Sequence, residues 1–197
     1  MATDEDFFCI RARDGTQVRI YYGEGPVPPG RAEIAQAELR LSRMPSFVRR
    51  RGPDLTYNCH GLTLGAKLGW LGEDRRPDGA PRLALPVTYQ SPPQLLPGQT
   101  DVVALLRGNG YRRSYADHLN LPIPAGVDIG RGDIVVYSSE YGGVREIKHS
   151  AVVVEVRDSP RIIRVLSKCG AYGEYEHNHS CVPPEYGSYF EVYSDRS

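Results

Sequence analysis

The tightest constraint on this chain is the rhythm of apolar runs and turns across its second half. "GDIVVYSS" (132–139) reads as a strand, Gly142-Gly143 as a tight turn, and "REIKHSAVVVEV" (145–156) as the next strand. Asp158-Ser159-Pro160 then turns into "RIIRVLSKCG", and "SYFEVYSD" (188–195) closes the sheet.

The first half is organised differently. "FFCIRARDGTQVRIYYG" is a hairpin around Asp14-Gly15. "GEGPVPPG" (23–30) is a linker, and "RAEIAQAELRLSRMPSF" is a helix ending near Pro45. A second helix carries Cys59 and runs from about 58 to 71. Residues 72–100 are rich in Gly and Pro and read as a long irregular connection, of the kind that borders a functional cleft. Thr100-Asp101 caps a helix through "DVVALLRGNG", and "YRRSY" is a short strand. Helices before antiparallel strands is an α+β order. The length, 197 residues, suits one domain over 1–197: a hairpin-and-helix appendage at 1–50 and a core at 51–197.

Net charge is zero, so no global field draws the chain to nucleic acid or an anionic membrane. "RRRG" (49–52) reads as a solvated helix end. The start, MATDEDFF, has no basic region followed by an apolar one, and no apolar run reaches the roughly 20 residues of a membrane span. The expectation is a cytoplasmic protein with no membrane partner, with signal-independent export left open. Four cysteines do not make a disulfide scaffold.

The chemistry centres on "TYNCHGLTLG" (56–65). The thiolate is the nucleophilic form of cysteine, and unpaired amides at a helix start favour it. Asn58 or Thr56 caps the helix and Cys59 falls at its first turn, where the same amides can hold an oxyanion. Gly61, Gly65 and Gly69 leave a stripe nearly free of side chains, against which a strand can pack closely. His149 is the preferred base. Two-residue alternation puts it on one face with Ile147, Ala151 and Val153, with Ala151 small enough to meet the glycine stripe. His60 points away from Cys59, and His118 sits in a polar loop. On the next strand Ile163, Val165, Ser167 and Cys169 face inward, which selects Ser167 to orient the imidazole. Glu174 and Glu176, in the following loop, are the alternatives.

"YNCHG" (57–61), "RGDIVVY" (131–137) and "HSAVVVEV" (149–156) occur in the order and spacing of a known set. In these motifs the chain resembles the papain-like cysteine hydrolases of the NlpC/P60 and CHAP type. The resemblance covers roughly 55–170 and implies a Cys-bearing helix packed on an antiparallel β-sheet, with Cys59 as nucleophile and His149 as base. Tyr57 would lie near the oxyanion site, and Asn58 and His60 flank the thiol as the other substrate-side candidates. At the third position those families carry His, Asn, Asp or Glu, whereas the matching stretch here reads "VLSKCG".

The expected activity is therefore hydrolysis of an amide in a peptide-like substrate: a peptide, an isopeptide or a peptidoglycan stem peptide. No cofactor or metal is needed. Two alternatives stand beside it, an inactive papain-like binding module and an acyltransferase or transglutaminase using the same nucleophile. A rival site, with Cys169, His177, His179 and Cys181 as zinc ligands, has acceptable residue types but the spacing of no common finger.

Overall fold

The computed structural model describes residues 7–11, 13–15, 17–21, 30–53, 59, 62–63, 98–141, 144–158, 161–169 and 172–196. Strands β1 (Phe7–Arg11) and β2 (Gln17–Tyr21) form the N-terminal hairpin, paired from Phe7↔Tyr21 to Arg11↔Gln17. Gly15 at its turn has φ +90°, a conformation that glycine adopts without strain. Helix α1 (Arg31–Ser42) follows, then β3 (Val48–Arg51) and helix α2 (Gly98–Gly108). The remaining strands are β4 (Arg112–His118), β5 (Ile134–Tyr141), β6 (Val144–Asp158), β7 (Arg161–Lys168), β8 (Glu174–Asn178) and β9 (Tyr189–Ser194). A 3₁₀ turn at Pro184–Tyr186 precedes β9.

Strands β3 to β9 make one sheet in the order β3-β8-β7-β6-β5-β9-β4, with every pairing antiparallel. The class is thus α+β. Among the described residues no helix is long and apolar enough to cross a membrane.

Both faces of the sheet are covered. Helix α2 places Val102, Leu105 and Leu106 against Ile134, Val136 and Tyr193 on one face. The other face gathers Val135, Tyr137, Ala151, Val153, Val165 and Phe190 under Ile123 and Ile129 of the β4–β5 connection. Toward β8 that side continues into Leu41, Cys169 and Tyr175, with Phe47 and Tyr186 packed on them. Burial on both faces explains why β5 and β6 read as continuous apolar runs.

Several expectations need correction. Helix α2 begins at Gly98, so Thr100 and Asp101 lie in its first turn instead of capping it. The arginine run is edge strand β3, not a helix end: Arg49 pairs with Glu38 of α1 (3.0 Å) and Arg50 with Glu176 of β8. Four residues with three identical charges carry no period, so only the partners reveal the strand. Residues 174–178 are strand β8 and not a polar loop, and His118 ends β4, its ring against Tyr189 (centroids 3.9 Å). The hairpin turn is tied to α2, Asp14 N–H donating to the Gly108 carbonyl at 3.0 Å. The linker at 23–29 and the connection at 72–97 fall outside the described residues.

A bulge in β6 bears on the site. Tyr137 pairs with His149 but Ser138 pairs with Ile147, so Lys148 is the extra residue. Ile147 therefore packs on the α2 side of the sheet, while His149 continues with Ala151 and Val153 on the other. The expected sharing of one face by Ile147 and His149 fails because an inserted residue breaks the alternation.

Candidate active site

Cys59, Leu62 and Thr63 are helical and buried, with Cys59 7% exposed. Thr63 Oγ1 donates back to the Cys59 carbonyl at 3.1 Å and lies 2.7 Å from Ser150 Oγ. With the threonine proton committed to that carbonyl, Ser150 is the donor to Thr63. The Cys59 turn is thus fastened to β6 at the residue after His149. The strand position that Thr63 meets is Ser150. Tyr57, Asn58, His60 and the glycines at 61, 65 and 69 fall outside the described residues.

His149 is fully buried. Its ring lies flat on that of Tyr186, centroids 3.9 Å apart and planes within 3°, and Tyr137 approaches at 5.6 Å. Tyr186 is also close enough to Cys59 for the thiol's charge to act on it. Burial first, then the charges of Cys169 and Cys59, hold the Tyr186 phenol well above its usual range, so it stays protonated. Cys169 belongs to the same group. Burial pushes its thiol up to about 12, although hydrogen bonds from Ser167 and Tyr186 act in the opposite sense. It is inert as a nucleophile.

Ser167 faces inward as expected and is fully buried. Its Oγ lies 2.7 Å from His177 Nε2, on β8. The Nδ1 of His177 is 2.8 Å from the Asn178 carbonyl, which can only accept, so Nδ1 carries the proton and Nε2 accepts from Ser167. Burial lowers the His177 pKa to about 4, and Phe47 stacks on the ring at 4.3 Å. His177 is neutral at pH 7.

The alternative orienters lie elsewhere. Alternation along β8 puts Tyr175 and His177 beside Ser167 and sends Glu174 and Glu176 to the opposite face. There Glu176 accepts from Arg164 at 2.6 Å and from Arg50 at 2.8 Å. Burial acts to raise its pKa, but the two guanidinium groups prevail and lower it. Glu174 is buried in register with Lys168.

The zinc reading fails on geometry. Both nitrogens of His177 are engaged, and among the described residues no three His, Cys, Asp or Glu side chains are placed to hold a metal ion. An open cleft of about 670 Å³ lies between α1 and β3, with Phe47 and Tyr175 among its lining residues.

Sequence reasoning missed Tyr186 and offered His177 as a zinc ligand, not as the partner of Ser167. Tyr186 sits in "VPPEYG", where the prolines and glycine signalled only a turn. His177 was masked by the polar letters around it, though the Tyr175/His177 alternation was the available signal. Comparison with protein-family models, with curated proteins and with solved structures gives no match.

Proposed function

We propose that this chain is a cysteine hydrolase of papain-like type that cleaves an amide in a peptide-like substrate, with Cys59 as nucleophile and His149 as general base. One observation carries the reading. The Thr63–Ser150 hydrogen bond fastens the helical segment that carries Cys59 to β6 at the residue next to His149, with Ser150 pointing to the α2 face and His149 to the other. Tyr186 is stacked on the imidazole, and its phenol lies within the field of a Cys59 thiolate.

In this mechanism His149 takes the Cys59 proton and the thiolate attacks the carbonyl carbon. Amides at the helix start hold the oxyanion, with Tyr57 as the side-chain candidate from sequence. The imidazolium returns its proton to the departing amine, leaving a thioester. Water, deprotonated by His149, attacks the thioester and releases the acid and the thiol. Every proton passes through one imidazole, so no metal or organic cofactor is required.

A second reading is favoured by burial. Cys59 is 7% exposed and His149 not at all, which suits a binding module whose pair serves as core. Iodoacetamide alkylation of each cysteine against pH, followed by peptide mass spectrometry, separates the two. The hydrolase reading expects Cys59 to react fastest, with an apparent pKa below the usual ~8.5 that rises in His149→Ala. A slow Cys59, or one indifferent to His149, leaves the binding module.

A further inference from the structure

The Tyr186 side chain is restrained more heavily than packing alone requires. Its ring is stacked on His149 at 3.9 Å. Its hydroxyl is hydrogen-bonded to Cys169. Its backbone closes a 3₁₀ turn, with Tyr186 N–H donating to Pro183 (2.9 Å) and Gly187 N–H to Pro184 (3.1 Å). The next residue, Gly187, has φ +98°, and a Cβ there would lie 2.1 Å from the Ser138 carbonyl oxygen. The turn is therefore pressed onto β5 beside Tyr137, the register partner of His149.

The hydroxyl anchor has a direction. The phenol O–H donates to the Cys169 sulfur, which favours the protonated phenol and the ionised thiol.

We propose that Tyr186 is the positioning residue for His149, its ring fixing the imidazole plane while Cys169 holds its hydroxyl. This rests on the reading of His149 as base. Stacking suits a base that must exchange protons. It restrains the tilt of the ring without engaging either nitrogen, because both nitrogens direct their protons and lone pairs within the ring plane. Among the described residues, the groups facing His149 include Tyr186 from the 3₁₀ turn, Tyr137 from β5 and, around the phenol, Cys169 and Cys59.

The experiment compares wild type, Tyr186→Phe, Tyr186→Leu and His149→Ala by two measurements: the pH profile of Cys59 alkylation by iodoacetamide, and the NMR shifts of the His149 ring protons. In Tyr186→Leu the His149 signals should move downfield as the stacked ring is lost. Cys59 alkylation at pH 7 should fall roughly two- to tenfold, the worth of one aromatic pair. Tyr186→Phe, which keeps the ring and loses the anchor, should fall between. The proposal is overturned if His149→Ala shifts the profile while both Tyr186 variants match wild type in profile and signals. If His149→Ala leaves the profile unchanged, the hydrolase reading fails instead, and the His149 signals alone decide whether Tyr186 positions the ring. Should the leucine variant not fold, unchanged signals and profile in Tyr186→Phe overturn the proposal.

Discussion

Thr63 and Ser150 meet through their hydroxyls at 2.7 Å, 87 residues apart in sequence, and this contact joins the Cys59 turn to the sheet. A buried hydroxyl pair is sensitive to losing one partner. Thr63→Val and Ser150→Ala should each destabilise the fold by about 1–3 kcal/mol. The double variant should cost less than the sum, with a coupling of about 0.5–1.5 kcal/mol, in urea unfolding monitored by circular dichroism. Strict additivity would mean that the two hydroxyls do not share a bond in solution.

Acid should weaken the fold through two histidines. Burial lowers the pKa of both His177 and His179 to about 4. Between that value and ~6.5 the unfolded chain binds more protons than the folded one, so stability is complete above pH 6.5 and declines as pH falls toward 4. The loss is about 3 kcal/mol for His177 and less for the partly exposed His179. Unfolding free energies of His177→Gln, measured from pH 7 to 4, should start lower than wild type and fall less steeply. An equal slope in the two proteins would remove His177 from the account.

Gly187 should tolerate no side chain. Its φ of +98° and the overlap of a Cβ with the Ser138 carbonyl predict that Gly187→Ala loses at least about 1–3 kcal/mol. Gly126, with nothing within 4 Å of its Cβ position, is the internal control. Gly126→Ala should change stability by no more than about 0.5 kcal/mol. Equal thermal midpoints for the two variants would contradict the close approach of the 3₁₀ turn to β5.

Cys169 should be silent toward alkylating agents. With its thiol pushed up to about 12, its thiolate fraction at pH 8 is roughly a thousandfold below that of an ordinary exposed cysteine. Mass spectrometry after brief iodoacetamide treatment should find Cys169 unmodified while the half-buried Cys181 is labelled. Early labelling of Cys169 would show that its site opens in solution.

Much of the sheet was legible in the residues. The Asp14-Gly15 hairpin, strands β5, β6, β7 and β9, and the inward face Ile163, Val165, Ser167, Cys169 all follow from two-residue alternation and turn chemistry. These are local properties, carried by stretches long enough for a period to show. Strands β3 and β8 were not legible, because four or five residues dense in charge carry no usable period. Their strand state comes from backbone pairing with segments distant in sequence, β3 with β8 and β8 with β7, flanked by the ion pairs of Arg50 and Arg164 with Glu176.

The sequence by itself determined the α+β class and placed a cysteine in a helix ahead of a buried strand with a histidine near its open end. Only the tertiary structure decided which groups surround that histidine. The Lys148 bulge reversed the face on which Ile147 lies, a shift of one residue that no alternation pattern can announce. Tyr186 and His177 reached the site from turns and strands distant in sequence. Their positions depend on how β5, β8 and the 3₁₀ turn pack together, and packing between distant segments is a property of three-dimensional closure that no local window of residues contains.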